Sequence, residues 1–258
     1  MKYLLSILTF SFLLFSCTDI TEYDTTTDSE ISGKYNTMRI QGDFIYAITD
    51  SELVTIDKSD ENNPEEIDRH ELGGQLENLY LTEGALFIGS QTNMHIFEIE
   101  TNGIPELRSS TEHAVNFDDT PVEVCDPVVA DQDIAYVTVS TEQLNDSDPC
   151  GGTLELNQLH VYNVENLNSP TLIQSIDLEA PQGLAIEGDL LYVTNLFTGT
   201  DIFRVNHQGG VTLEAHIEGA AHDVIAVDNK VMIVSKTEIN QYDVSNVQDI
   251  THYATIVL

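Results

Sequence analysis

The chain has 258 residues, 41% of them hydrophobic and 21% charged, which is enough apolar surface to bury a core and excludes a disordered chain. Acidic side chains outnumber basic ones 44 to 9, and the formal net charge of −35 repels a phosphate backbone at every approach, so nucleic acid is excluded as a partner. There is no tryptophan, which removes the indole platform on which sugars commonly stack, although ten tyrosines remain.

Residues 1–16 have the pattern of a lipoprotein signal peptide. Lys2 is the early cation, Leu4 to Phe15 is an apolar run of about a dozen residues, and Ser16 is the small residue before Cys17. That run is too short to span a bilayer comfortably, and no later segment is long and apolar enough for a transmembrane helix. The stretch Leu14-Phe15-Ser16-Cys17 resembles the bacterial lipobox, departing from it in the bulk of Phe15. The resemblance implies that Cys17 carries lipid and becomes the mature N-terminus; an ordinary signal peptide is the alternative. Residues 17–33 then form the lipidated cysteine and an acidic, threonine-rich tether with little to bury. An acidic stretch at that place resembles the surface-export signal of Bacteroidetes lipoproteins, which implies an outer-membrane lipoprotein exposed at the cell surface, with a periplasm-facing one as the alternative. Within the tether, Asp24-Thr25-Thr26 is similar to that phylum's O-glycosylation site.

Residues 34–258 repeat. A first alternating segment, a short turn, a second segment, a loop, a third segment ending near an acidic residue and a fourth segment recur five times. The turns and second segments begin at Gly42-Asp43, Gly84-Ala85, Gln132-Asp133, Gly188-Asp189 and Asn229-Lys230, where Gly and Asn supply the positive φ of short hairpins. The third segments carry the anchors Ile56, Phe97, Tyr162, Phe203 and Tyr242, a period of about 40 residues with roughly 24 extra in the third unit. Four short strands on that period make one propeller blade, a sheet too small to stand alone that buries its faces against its neighbours. The predicted fold is therefore all-β: a β-propeller of five blades, each of four antiparallel strands, at about 35–74, 75–113, 114–180, 181–220 and 221–258, with a β-sandwich or open array as the competing architecture. The first unit begins at its innermost strand and the fifth ends at its outermost. Closure therefore relies on face packing between the first and last blades, with no shared strand.

The segments Leu53-Val54-Thr55-Ile56-Asp57 and Tyr242-Asp243-Val244-Ser245-Asn246 resemble the LVIVD repeat of bacterial propellers. In unit three, Cys125-Asp126-Pro127-Val128-Val129, Cys150-Gly151-Gly152 and Leu159-His160-Val161-Tyr162 are similar to a group of Bacteroidetes LVIVD lipoproteins. The resemblance implies a fold and a location and brings no reaction with it. In an up-and-down blade the start of the first strand and the loop between the second and third share one face. Cys125 and Cys150 occupy those places, which predicts a disulfide in an exported protein. Closing a loop of about 25 residues contributes on the order of 3 kcal/mol. A two-cysteine metal site is the alternative, but no flanking ligands stand at the required spacing.

Counting back from the turns gives one polar column at the start of the innermost strands, Asn36, Asn78, Asp126, Gln182 and Asp223, preceded by a second that contains Glu77 and His222. A ring of amides and carboxylates at the propeller mouth suits Ca²⁺ or sugar hydroxyls; the plain alternative is that polar residues begin strands at the water boundary. There is no G-x-S-x-G, H-E-x-x-H or glycine-rich phosphate loop. Asp57 to Glu66 lacks the central glycine of a Ca²⁺ loop and reads as a solvated turn, and His95 and His160 hold equivalent third-strand places suited to packing. The expectation is a binding or scaffold module attached to the membrane by its lipid, with a protein or glycan partner at the surface. An enzyme or sugar-binding protein using the mouth, or a structural envelope protein without a ligand, are the alternatives.

Overall fold

Strands this short are held by what covers their faces. In the computed structural model, which describes residues 35–113, 124, 127–141 and 156–258, twenty strands form five antiparallel sheets of four. Blade one comprises β1 (Thr37–Gln41), β2 (Phe44–Ile48), β3 (Glu52–Asp57) and β4 (Glu65–Glu71). Blade two comprises β5 (Leu76–Leu81), β6 (Ala85–Ser90), β7 (Asn93–Ile99) and β8 (Pro105–Glu112). Blade three comprises β9 (Val128–Asp131), β10 (Ile134–Ser140), β11 (Asn157–Asn163) and β12 (Thr171–Asp177). Blade four comprises β13 (Pro181–Glu187), β14 (Leu190–Asn195), β15 (Gly199–Val205) and β16 (Val211–Glu218), and blade five β17 (Asp223–Val227), β18 (Lys230–Val234), β19 (Glu238–Asp243) and β20 (Thr251–Val257). Each sheet is ordered as its strands follow in the chain, and first strands of successive blades pack on one another, which puts them innermost. The chain is an all-β propeller of five blades. The signal peptide, Cys17, the tether, Cys125, Asp126 and Cys150 lie outside the described residues.

The turns show where sequence register slips. Gly42, Gln132 and Gly188 take positive φ as the hairpins require, but in blade five the left-handed pair is Asp228-Asn229, one residue earlier than the pattern suggests. In blade two, Thr82 N–H bonds to the Ala85 carbonyl at 2.9 Å, so the turn is Glu83-Gly84, and Gly84 has no left-handed φ. The acidic position that ends the third strands has a local use. Asp57 and Asp243 each accept, through Oδ1, the backbone N–H two residues on, from Ser59 at 2.8 Å and Ser245 at 3.0 Å, and Asn163 accepts from Glu165 at 3.2 Å. The repeat's Asp or Asn thus folds the chain into the turn toward the fourth strand.

The core lies between sheets. Tyr46, Ile48 and Leu53 of blade one meet Leu79, Ile88 and Phe97 of blade two, and Phe87, Met94 and Ile96 meet Val128, Ala135 and Val137 across the next seam. Tyr136, Leu159 and Val161 meet Leu184, Leu191 and Val193, and Tyr192 and Ile202 meet Val224, Val231 and Ile233. β6 and β10 are buried at every residue because their blades are covered on both faces. The second strands place Tyr46, Phe87, Tyr136 and Tyr192 at equivalent register, and the Tyr46 hydroxyl donates to the Gly103 carbonyl of the following blade at 2.9 Å.

The fifth seam is different. Blade five carries Met232 where the others carry an aromatic ring, and β18 alternates between buried Val231 and Ile233 and half-buried Lys230, Met232 and Val234. On the facing innermost strands Met38 and Ile40 are 52% and 60% exposed, and Ile225 and Val227 are 49% and 51% exposed. The face packing expected to close the ring leaves these four side chains half in water, and β1 and β17 lack the close approach of the other innermost pairs.

Candidate functional site

The turns assigned by the structure correct the polar column. Counting back from Glu83-Gly84 and Asp228-Asn229 brings Glu77 and His222 into line with Asn36, Asp126 and Gln182, and moves Asn78 and Asp223 one place on. Among the described members, several are engaged within the fold. Asn36 Nδ2 donates to Asp50 Oδ1 at 3.0 Å. Asn78 clasps the next blade's first residue, donating to the Val128 carbonyl at 2.8 Å and accepting from its N–H at 3.0 Å. Asp223 Oδ1 accepts the Val224 N–H at 2.8 Å; its surface is open on one side, yet the neighbouring strand desolvates the carboxylate and raises its pKa despite that hydrogen bond. Gly183 explains the crowding, since a Cβ there would lie 2.6 Å from Asp223 Oδ1 and 2.7 Å from its Cα. Gln182 is buried with Nε2 unpartnered, and His222 has a buried, unpartnered Nδ1. Within this column Asn78 holds one blade to the next, and no group of three or more His, Cys, Asp or Glu among the described residues is arranged to hold a metal ion.

A cavity of about 440 Å³ opens at the other end of the propeller, where the turns between first and second strands and between third and fourth strands gather. Blade two contributes Tyr80, blade three Asp131 and Gln132, and blade four Ile186, Asp189 and His207. Its polar groups divide into spent and available. Asp189 is paired with Arg204, and Asn206 Oδ1 accepts the N–H groups of Gln208 and Gly210, both at 2.9 Å. His207 Nδ1 lies 3.4 Å from Asp131 Oδ2, and its Nε2 lies 3.3 Å from Gln132 Nε2. An amide NH₂ can only donate, so His207 Nε2 is the acceptor and the neutral ring carries its proton on Nδ1, facing the carboxylate. Burial raises the Tyr80 hydroxyl's pKa, the Asp131 charge adds to the rise, and Arg39 opposes it, so the phenol stays a neutral donor. Asp131, Gln132, His207 and Tyr80 are thus four polar functions above an apolar floor of Ala130, Ile186 and Val205, with no serine, threonine or cysteine nucleophile among the described lining.

None of these four stood out in the sequence. Asp131 ends a strand, Gln132 belongs to the hairpin turn that follows, His207 to a loop, and Tyr80 to a strand that reads as core. One signal was present: glutamine stands at position 132, where two other blades use glycine, and it takes the left-handed φ of 50° that the turn requires.

No family model and no curated protein sequence matches the chain. Solved structures do. AztD from Citrobacter koseri aligns with 82% of this chain and 58% of its own at a TM-score of 0.55 and 13% identity. The computationally designed protein Ika8 aligns with 86% of this chain and 61% of its own at 0.57 and 8% identity. Hsv2 from Kluyveromyces lactis aligns with 82% and 62% at 0.53 and 14% identity. At these identities the likeness is one of fold. The chain spans about three fifths of the length of these structures.

Proposed function

We propose that this chain is a lipid-anchored propeller of the cell envelope that binds a small, hydroxyl-rich ligand in the cleft bounded by Tyr80, Asp131, Gln132 and His207, and does not transform it. The observation behind this reading is the convergence, from three blades, of a carboxylate, an amide, an imidazole and a phenol on one cavity of about 440 Å³. Carboxylate and amide oxygens accept hydroxyl protons, Gln132 and Tyr80 donate, His207 orients Asp131 and Gln132, and the apolar floor takes the ligand's C–H face. The anchor rests on the lipobox-like residues ending at Cys17, and the acidic tether supports a place on the outer membrane, facing outward. The repeats' resemblance to LVIVD propellers supports the same location, and the net charge of −35 favours neutral or basic partners over anionic polymers.

The test is a thermal-shift screen of the full chain against neutral mono- and oligosaccharides, with and without Ca²⁺. A native-state ligand raises the melting temperature with its concentration over Kd. Stabilisation by one sugar class, lost in Asp131→Asn and His207→Ala and kept in Asp223→Asn, supports the cleft. Stabilisation lost only in Asp223→Asn moves the site to the opposite mouth, and the absence of any shift rejects a sugar ligand.

A further inference from the structure

Blades pack through two unlike faces. The face toward the next blade carries the second-strand rings Tyr46, Phe87, Tyr136 and Tyr192, and the face toward the previous blade carries Leu79, Val128, Leu184 and Val224, each four residues before a first hairpin turn. Every seam joins one face of each kind. Leu79 lies in one cluster with Tyr46, Val128 with Phe87, Leu184 with Tyr136 and Val224 with Tyr192, and none of these side chains is more than 8% exposed.

The two end blades keep the same residue chemistry on faces that stand in water. On blade one Met38 holds the place of Leu79, Val128, Leu184 and Val224, yet it is 52% exposed, with Ile40 beside it at 60%. On blade five Met232 holds the place of the four rings and is half-buried, and its cross-strand partner Ile225 is 49% exposed. The residue just before the first hairpin turn is polar in the other blades, Gln41, Thr82, Asp131 and Glu187, as a place at the water boundary allows. In blade five it is Val227, 51% exposed. Farther out on these two faces charges are already paired, Arg69 with Glu52 and Glu66 on blade one and Lys230 with Asp243 on blade five.

We propose that a second copy of this chain covers both faces, blade five of one copy packing on blade one of the other, with Met38 of each seated against Met232 of its partner. The contact continues the seam that the chain already makes four times, because it brings together the two kinds of face that match. Two copies related by a two-fold axis make it twice and leave neither face free. Four strands about 4.8 Å apart and about six residues long at 3.3 Å each give a blade face of nearly 400 Å², so four faces bury about 1,500 Å², within the range of stable interfaces. Methionine at both central places suits a contact between separately folded molecules, since its flexible thioether adapts where the rings and branched side chains of the internal seams fit one fixed partner. Each copy carries a formal charge of −35, but exposed charges farther apart than about 8 Å are largely screened at physiological salt.

The experiment uses the full chain in a mild non-ionic detergent, followed by sedimentation velocity. A monomer–dimer equilibrium is expected, with half-dissociation at about 1–10 μM. The dimer fraction should rise with salt, as repulsion between like-charged copies is screened. Met38→Asp and Ile225→Asp each place a carboxylate in the seam and should weaken the dimer at least about tenfold. Below the concentration of half-dissociation, Ile225→Asp should leave the urea midpoint close to that of wild type, which shows that the variant still folds. Chains carrying Met38→Cys, mixed with chains carrying Met232→Cys, should give with a bismaleimide a product of twice the mass that neither gives alone, above the background of the native cysteines. The proposal is overturned if the chain stays monomeric up to about 100 μM, if the dimer survives both aspartate substitutions, or if a chain carrying both new cysteines cross-links to itself at the monomer mass. In a monomer, maleimide labelling of Met38→Cys as slow as that of Val128→Cys would assign the face to the chain's own tether, and fast labelling would leave it to a different protein; either result rejects the second copy.

Discussion

Three histidines buried at the seam of blades two and three make the protein sensitive to mild acid. His95 on β7 and His160 on β11 hold equivalent register, and His113 follows β8; each is at most 6% exposed. Burial, joined at His95 and His160 by the charge His113 would carry, drives the three pKa values down from 6.5 to about 4. The unfolded chain therefore takes up protons near pH 6.5 that the folded chain refuses until near pH 4. The stabilisation is complete above pH 6.5 and is lost as pH falls from there toward 4. A shift of that size corresponds to about 3 kcal/mol per histidine, so even partly coupled the three sum to a large share of the roughly 5–15 kcal/mol that holds a domain folded. At pH 5 to 5.5 nearly three extra protons bind the unfolded state, a slope of about 4 kcal/mol per pH unit. Urea unfolding followed by circular dichroism from pH 7.5 to 5 measures that slope, and His95→Gln is expected to remove about one proton from it. Folded-state imidazole resonances of the three that titrate near pH 6.5, or a slope of one proton or fewer, would refute the burial argument.

Three other outcomes can be checked in parallel. His216 should behave oppositely: burial pulls its pKa down, but Asp201 Oδ1 at 2.7 Å, the Thr198 carbonyl at 3.0 Å and nearby carboxylate charge together raise it, so both ring nitrogens donate. Its contribution is present at acid pH and fades as pH rises through the folded value, and Asp201→Asn should return its NMR titration toward 6.5. Gly103→Ala should cost about 2–4 kcal/mol by urea unfolding, because φ is +79° and a Cβ would lie 2.2–2.4 Å from the Phe44 ring. Gly84→Ala, with no left-handed φ and open space around it, should fall within about 0.5 kcal/mol of wild type. Finally, Ile225→Asp on the free face of blade five should cost less than about 1 kcal/mol, against several for Val224→Asp, which is 4% exposed on the packed face. Equal costs for the two would show that blade one covers that face.

Local chemistry made the architecture legible. The third-strand anchors Ile56, Phe97, Tyr162, Phe203 and Tyr242 and the short hairpin turns recur because each blade needs the same strand pairing and the same large side chain, and Asp57, Asn163 and Asp243 recur in three blades as the same Asx turn. These depend on residues a few places apart, and the sequence alone determines them. Register was less secure. A turn that begins one residue earlier leaves the alternation intact while changing which residue starts the strand, and so the sequence pattern aligns Asn78 and Asp223 with Asn36 where the folded turns align Glu77 and His222. The fate of those side chains was decided only by the neighbouring blade. Asn78 became a clasp on Val128, and Asp223 was desolvated by its approach to Gly183. The cleft around Tyr80, Asp131 and His207 gathers residues from different blades. Nothing along the chain marks them as neighbours, because the seam that joins them exists only when separate sheets pack. The uncovered faces at Met38, Ile40, Ile225 and Val227 make the same point: their apolar alternation predicts burial, but whether a face is covered depends on the angle at which five sheets stack.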